Sequence, residues 1–144
     1  MTGEPNSGSS FPEVPRPTGG APAGLLLGRD LIFVSKITGT ARQLGYQVLV
    51  AGNRALALSM MEQWQPKAVF VDLAAGDLTN AEAILAYRLQ VPHATFIAFG
   101  SHVDTAALEA ASAAGCNLVL PRSKFTLELP QLIQRHLGEP QNQT

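Results

Sequence analysis

The chain has 144 residues, of which 46% are hydrophobic and 15% charged, with a formal net charge of -1. That length suits one domain able to bury a single core, and the composition favours a compact globular body over a disordered or fibrous chain. Lysines and arginines are scattered, with Arg122 and Lys124 nearest to a cluster, so neither nucleic acid nor an anionic membrane is an expected partner.

Residues 1–24 hold five of the ten prolines and five of the thirteen glycines, with few large apolar side chains besides Phe11 and Val14. Such a segment cannot bury enough surface to repay its ordering entropy. A disordered tail is expected there and at 139–144, leaving 25–138 as the domain. Apolar runs such as "GLLLG" and "AVFV" fall far short of the ~20 residues that span a bilayer. The amino terminus lacks the basic start and apolar stretch of a signal peptide. The single Cys116 cannot form an internal disulfide, which fits a reducing compartment. A soluble, cytoplasmic protein is expected.

From residue 25 onward, short apolar runs alternate with segments of helical period. "LIFVS" (31–35), "QVLVA" (47–51), "AVFVD" (68–72), "TFIAF" (95–99) and "LVLP" (118–121) have strand length and little alternation, as strands covered on both faces do. Between them, Asn53 can cap a helix carrying Ala57, Met60, Met61 and Trp64 on one face. "TNAE" at 79–82 reads as a capping box. Asp104 can cap an alanine-rich helix that ends at Gly115. Leu129, Leu132, Ile133 and Leu137 form the stripe of a last helix, with Pro130 placed in its first turn. Strict alternation of strands and helices predicts an α/β fold, an open doubly wound parallel sheet. In such sheets, ligands gather beyond the carboxyl ends of the strands. On this reading Ser35, Lys36, Asp72, Gly100, Ser101, His102 and Arg122 lie at that edge.

An aspartate closing the third strand, a proline before the fourth, a glycine ending the fourth helix and a basic residue after the fifth strand together resemble the receiver domain of bacterial response regulators. The resemblance implies a flavodoxin-like strand order 2-1-3-4-5, with Asp72 in the position that accepts a phosphoryl group from a kinase histidine. Receivers also carry two adjacent acids at the end of the first strand, which hold Mg²⁺, a cation that wants several oxygen ligands. Here those positions read Ser35 and Lys36. Asp30 falls at the opposite end of that strand, and Asp77 reaches Asp72 only if its loop folds back. The switch position of the fourth strand aligns with Gly100, with Ser101 one place later. The aromatic switch position aligns with Val119. The basic residue after the fifth strand is Arg122, followed by Lys124. With eight residues between Lys36 and Gly45, the first helix is left about two turns.

The chain therefore resembles an atypical receiver, a pseudo-receiver. The resemblance implies a non-enzymatic signalling and protein-interaction module of a two-component type, independent of phosphorylation and needing no cofactor. Mg²⁺ enters only if Asp72 is a genuine phosphoacceptor in a phosphorelay. The implied partner is a histidine kinase or another signalling protein, and the faces of the fourth and fifth helices are a site for docking or homodimer formation. At Asp72 itself, an ion pair with Lys36, or with Arg122, is expected to hold the carboxylate ionised. A nucleotide- or phosphate-binding enzyme is the other class considered. Its best segment, "TGTARQLG" at 38–45, has Gln43 at the middle glycine position of a dinucleotide loop and no acid about 20 residues later. "SHVD" at 101–104 places Ser, His and Asp side by side on one loop, whereas catalytic triads converge from separate loops.

Overall fold

The computed structural model describes residues 23–138. The tails expected at 1–24 and 139–144 lie outside the described residues, apart from Ala23 and Gly24. Within them the elements run β1 (Gly24–Leu27), α1 (Leu31–Gln43), β2 (Val48–Ala51), α2 (Arg54–Trp64), β3 (Ala68–Asp72), α3 (Ala81–Gln90), β4 (Thr95–Gly100), α4 (Thr105–Ala113), β5 (Leu118–Pro121) and α5 (Arg122–Leu137). A 3-10 turn at Gly76–Leu78 joins β3 to α3. The strands form a parallel sheet in the order β2-β1-β3-β4-β5, the doubly wound arrangement expected.

Four strands stand where the sequence places them, and the first does not. "LIFVS" at 31–35 opens α1 instead. The Asp30 carboxylate accepts from the Ile32 and Phe33 N–H groups at 2.9 and 3.4 Å and so caps that helix. A short apolar run serves strand or helix equally well, and the capping residue decides between them. The strand is "GLLL", fully buried and hydrogen-bonded to β2 on one side and β3 on the other. Leucine favours helices by intrinsic propensity, and here a central place in the sheet overrides it.

Three further corrections follow from the same local chemistry. α1 is 13 residues long, not two turns, and contains Thr38 and Gly39 within its body, so "TGTARQLG" is no phosphate loop. Gly45 follows with φ 91, a left-handed turn that glycine adopts without strain. α3 is capped by Asn80, whose Oδ1 accepts from the Ala83 N–H at 2.9 Å, while the Thr79 hydroxyl donates to the Asp72 carbonyl at 2.7 Å. α5 starts directly after Pro121, so Pro130 sits mid-helix on the exposed side. Lacking an N–H, it removes the helical hydrogen bond to the Thr126 carbonyl, a loss that solvent can offset on that side.

Alternate strand residues face opposite helix layers. Leu25, Leu27, Val69, Val71, Phe96 and Ala98 pack with buried residues of α2, α3 and α4 such as Met60, Met61, Ile84, Tyr87 and Ala111. Leu26, Phe70, Ile97 and Phe99 pack with Ile37 and Ala41 of α1 and Phe125, Leu129 and Ile133 of α5. Since Asp72 is two residues beyond Phe70, its side chain faces the α1/α5 layer, at the carboxyl edge of the sheet.

Candidate functional site

Asp72 closes β3 with its side chain only 4% exposed. Its Oδ1 accepts from the Ala74 N–H at 3.0 Å and lies 3.8 Å from an Arg122 guanidinium nitrogen. Burial pushes the carboxyl above the ordinary aspartate range. The Ala74 N–H and then Arg122 pull it back down, and the negative charge of Asp30 adds to the upward push. The ion pair expected from the sequence therefore exists, with Arg122 as its cation, but burial outweighs it.

Ser35 and Lys36 do not line this site. Both are exposed residues of the second turn of α1, because the strand they were expected to end is a helix. The residues that follow β1 are Gly28, Arg29 and Asp30. A Cβ on Gly28 would lie 3.2 Å from the Asp72 Cβ, so Gly28 is the direct neighbour of the carboxylate from β1. Arg29 turns away. Its Nε and Nη1 donate to the carbonyls of Gly52 and Ala75 at 2.8 and 3.0 Å, and Nη2 lies 3.8 Å from the Asp77 carboxylate. Arg54 donates to the Asp77 carbonyl at 2.9 Å and to Asn80 at 3.1 Å. The two arginines thereby pin the 3-10 turn, and Asp77 faces them rather than Asp72.

Gly100 ends β4 in register with Pro121, and a Cβ there would meet Leu73 at 3.3 Å. The Ser101 hydroxyl oxygen accepts from the Val103 N–H at 3.3 Å, and Asp104 caps α4 through the Ala107 N–H at 3.1 Å. "SHVD" is therefore a helix-entry loop, with His102 exposed. Lys124 pairs along α5 with Glu128 at 3.9 Å, a solvent-facing contact. Arg122 alone of the two basic residues reaches Asp72, and its guanidinium lies over the Phe33 ring, 5.3 Å from the centroid.

Gly28, Arg29 and Phe33 belong to this edge and were not selected from the sequence. The clue lay in the two-turn first helix, too short for a layer that must cover a five-stranded sheet. Counting back from Gly45 by a helix of ordinary length places the strand at "GLLL".

A divalent cation beside Asp72, which the resemblance implies, does not fit these residues. Gly28 offers no oxygen from its side chain, Arg29 is cationic, and the Asp30 carboxylate is turned to its own helix amides. Arg122 already places a positive charge at Asp72, and Mg²⁺ demands several oxygens in octahedral array. Among the described residues, no three His, Cys, Asp or Glu side chains group as a metal site.

Solved receiver domains share this architecture. A response regulator from Thermotoga maritima superposes with a TM-score of 0.69 at 17% identity, over 83% of this chain and 99% of that one. The fold is that of a response-regulator receiver domain. The receiver domain of a sensor histidine kinase from Pseudomonas aeruginosa, with a magnesium ion coordinated in its active site cleft, gives 0.70 at 22% identity over 83% and 100% of the two chains. A CheY-like receiver domain from Methanospirillum hungatei gives 0.70 at 15% over 87% and 100%. No protein-family model and no curated protein matches the chain.

Proposed function

We propose that this receiver fold is a non-enzymatic signalling and protein-interaction module of a bacterial two-component-type system, acting in the cytoplasm without phosphorylation of Asp72. The observation that carries the reading is the pairing at the strand edge. Asp72 has an arginine as its counter-ion and a glycine as its neighbour from β1, so no second carboxylate is free to share a cation with it. A phosphoryl donor approaching Asp72 without a metal meets a carboxylate whose nearby positive charge is already taken. The implied partner is a histidine kinase or another signalling protein. The docking face lies over α4, β5 and α5, where Leu127 of α5 is 79% exposed and the β5 residues are only half-buried, with the 74% exposed Val103 in the loop that enters α4. Among the described residues, no helix is long and apolar enough to cross a membrane.

One observation favours a second reading, a genuine phosphoacceptor: Asp72 ends the central β3 strand at the carboxyl edge with a cation 3.8 Å away. Titration with beryllofluoride and millimolar Mg²⁺, followed by amide NMR and Trp64 fluorescence, separates the two. The proposed module gives no saturable response. A saturable response abolished by Asp72→Asn restores the phosphoacceptor.

A further inference from the structure

The charge on Asp72 and the rings beside it belong to one closed circuit of contacts. Asp72 is in register with Phe99 of β4. Arg122, the first residue of α5, pairs with Asp72 at 3.8 Å and covers the Phe33 ring of α1 at 5.3 Å. Phe33 lies 5.2 Å from Phe99, and Phe99 stacks on Phe125 at 4.2 Å and 13°. Phe125 returns the circuit to α5, three residues after Arg122. Both helices on this face of the sheet are thus held at their amino ends. Apolar packing holds α5 through Phe125, whereas the link from α1 to the first residue of α5 passes through the guanidinium.

Two details make that link depend on charge. Arg122 Nε is buried with no hydrogen-bond partner, and the head group lies between the Asp72 carboxylate and the Phe33 ring. The Arg122 side chain is also 35% exposed, leaving it a short path to water. A half-desolvated guanidinium stays beside an ionised carboxylate, but a neutral one leaves its charge uncompensated. The groups that bear on the Asp72 charge are Arg122 from α5, Asp30 from the turn before α1, and the Ala74 N–H from the loop after β3.

We infer that Arg122 is a charge-dependent tie: while Asp72 is ionised it links the first residue of α5 and the Phe33 ring of α1 to the end of β3, and loss of that charge frees the guanidinium from both at once, while the Phe33–Phe99 and Phe99–Phe125 contacts keep the two helices on the sheet. Arg122 is in this sense a positioning residue for the α5 side of the docking face. The inference rests on the proposed function only in taking Asp72 as unmodified and metal-free.

Amide and arginine-Nε NMR spectra of the full chain test it. Asp72→Asn should move the Arg122 Nε–H resonance together with amides in 31–37 and 122–126, while amides of β2 and of 95–98, which report the intact sheet, stay in place. Lowering the pH on the unaltered chain should reproduce the same pattern, with a midpoint equal to that of the Asp72 carboxyl carbon. Arg122→Lys keeps the charge but loses the flat face that stacks on Phe33, so it should move the α1 amides while Asp72 still titrates. If Asp72→Asn shifts only 70–79, or if the α1 and α5 amides titrate apart from the Asp72 carboxyl, the tie does not exist. Neither result depends on beryllofluoride, whose binding to the unaltered chain would overturn the proposed function by itself.

Discussion

Gly28 packs its Cα against Asp72: a Cβ there would stand 3.2 Å from the Asp72 Cβ and 3.6 Å from its Oδ2. The carboxylate therefore owes part of its burial to a missing side chain on the neighbouring strand end.

Gly28→Ala should cost about 1 kcal/mol, the lower end of overpacking penalties, because Asp72 must yield by a few tenths of an ångström. Gly28→Asp adds a like charge at the same place and should be less stable than Gly28→Ala at neutral pH. That difference should vanish once both carboxyls are protonated. Millimolar Mg²⁺ should raise the Tm of Gly28→Asp and leave the Gly28→Ala Tm unchanged. Equal Tm values for the two variants across the pH range, with or without Mg²⁺, would show that residue 28 does not face Asp72.

Cys116 gives a prediction about reactivity. It is 8% exposed, and burial pushes its thiol up to about 11, against a weaker downward pull from Arg88. Since the thiolate is the nucleophile, alkylation by iodoacetamide near pH 8 should follow unfolding, not precede it. Denaturant should accelerate labelling in step with loss of the Trp64 fluorescence signal. Rapid labelling of the folded chain would place Cys116 at the surface.

Most of the sheet was legible because its strands carry the right kind of information. "AVFVD" and "TFIAF" are rich in β-branched and aromatic residues and are flanked by turn and cap residues, and they stand within a residue of where they were expected. The central strand "GLLL" carries no such mark. It is four residues long, built from a residue that prefers helices, and defined by partners on both sides that only the tertiary structure supplies. "LIFVS" has the composition of a strand, and only Asp30 before it reveals a helix start. One misplaced strand moved the whole neighbourhood of Asp72, putting Ser35 and Lys36 where Gly28 and Arg29 belong. Asp72 and Arg122 are legible because β3 and β5, which fix them, carry clear strand signals. A helix of ordinary length counted back from Gly45 brings Phe33 into α1, but its contact with Arg122 depends on how α1 and α5 pack together, which the sequence does not give.

Asp30 separates two roles that one substitution can disentangle. Its carboxylate caps α1 through two N–H groups, and its charge raises the Asp72 carboxyl. Asn caps almost as well as Asp, so Asp30→Asn should keep the unfolding free energy within about 0.5 kcal/mol of the parent. The Asp72 carboxyl should then titrate at lower pH, as read from its carbon resonance. Asp30→Ala should lose about 1 kcal/mol through the cap as well. An unchanged Asp72 titration in Asp30→Asn would mean that the two carboxylates do not feel each other.

The sign of the Asp72 shift fixes a pH dependence that runs against the usual behaviour of an ion-paired aspartate. Its folded-state carboxyl is raised above the ordinary value, so the folded chain holds that proton more tightly than the unfolded chain. The stability this contributes is complete below the ordinary aspartate range and is lost as pH rises through the raised value. At neutral pH the ionised Asp72 is thus a net burden on the fold, despite Arg122. Asp72→Asn removes the charge while keeping an oxygen that can accept from the Ala74 N–H. The variant should therefore be more stable than the parent at about pH 7 and close to it near pH 3, by chemical denaturation at fixed ionic strength. Arg122→Ala should move the other way, losing about 1–2 kcal/mol at neutral pH as the carboxylate forfeits its counter-ion and Phe33 its cation, and less in acid. If Asp72→Asn were destabilising at neutral pH by more than it is near pH 3, the Arg122 pair would outweigh burial, and Asp72 would be an ordinary stabilising strand-end carboxylate.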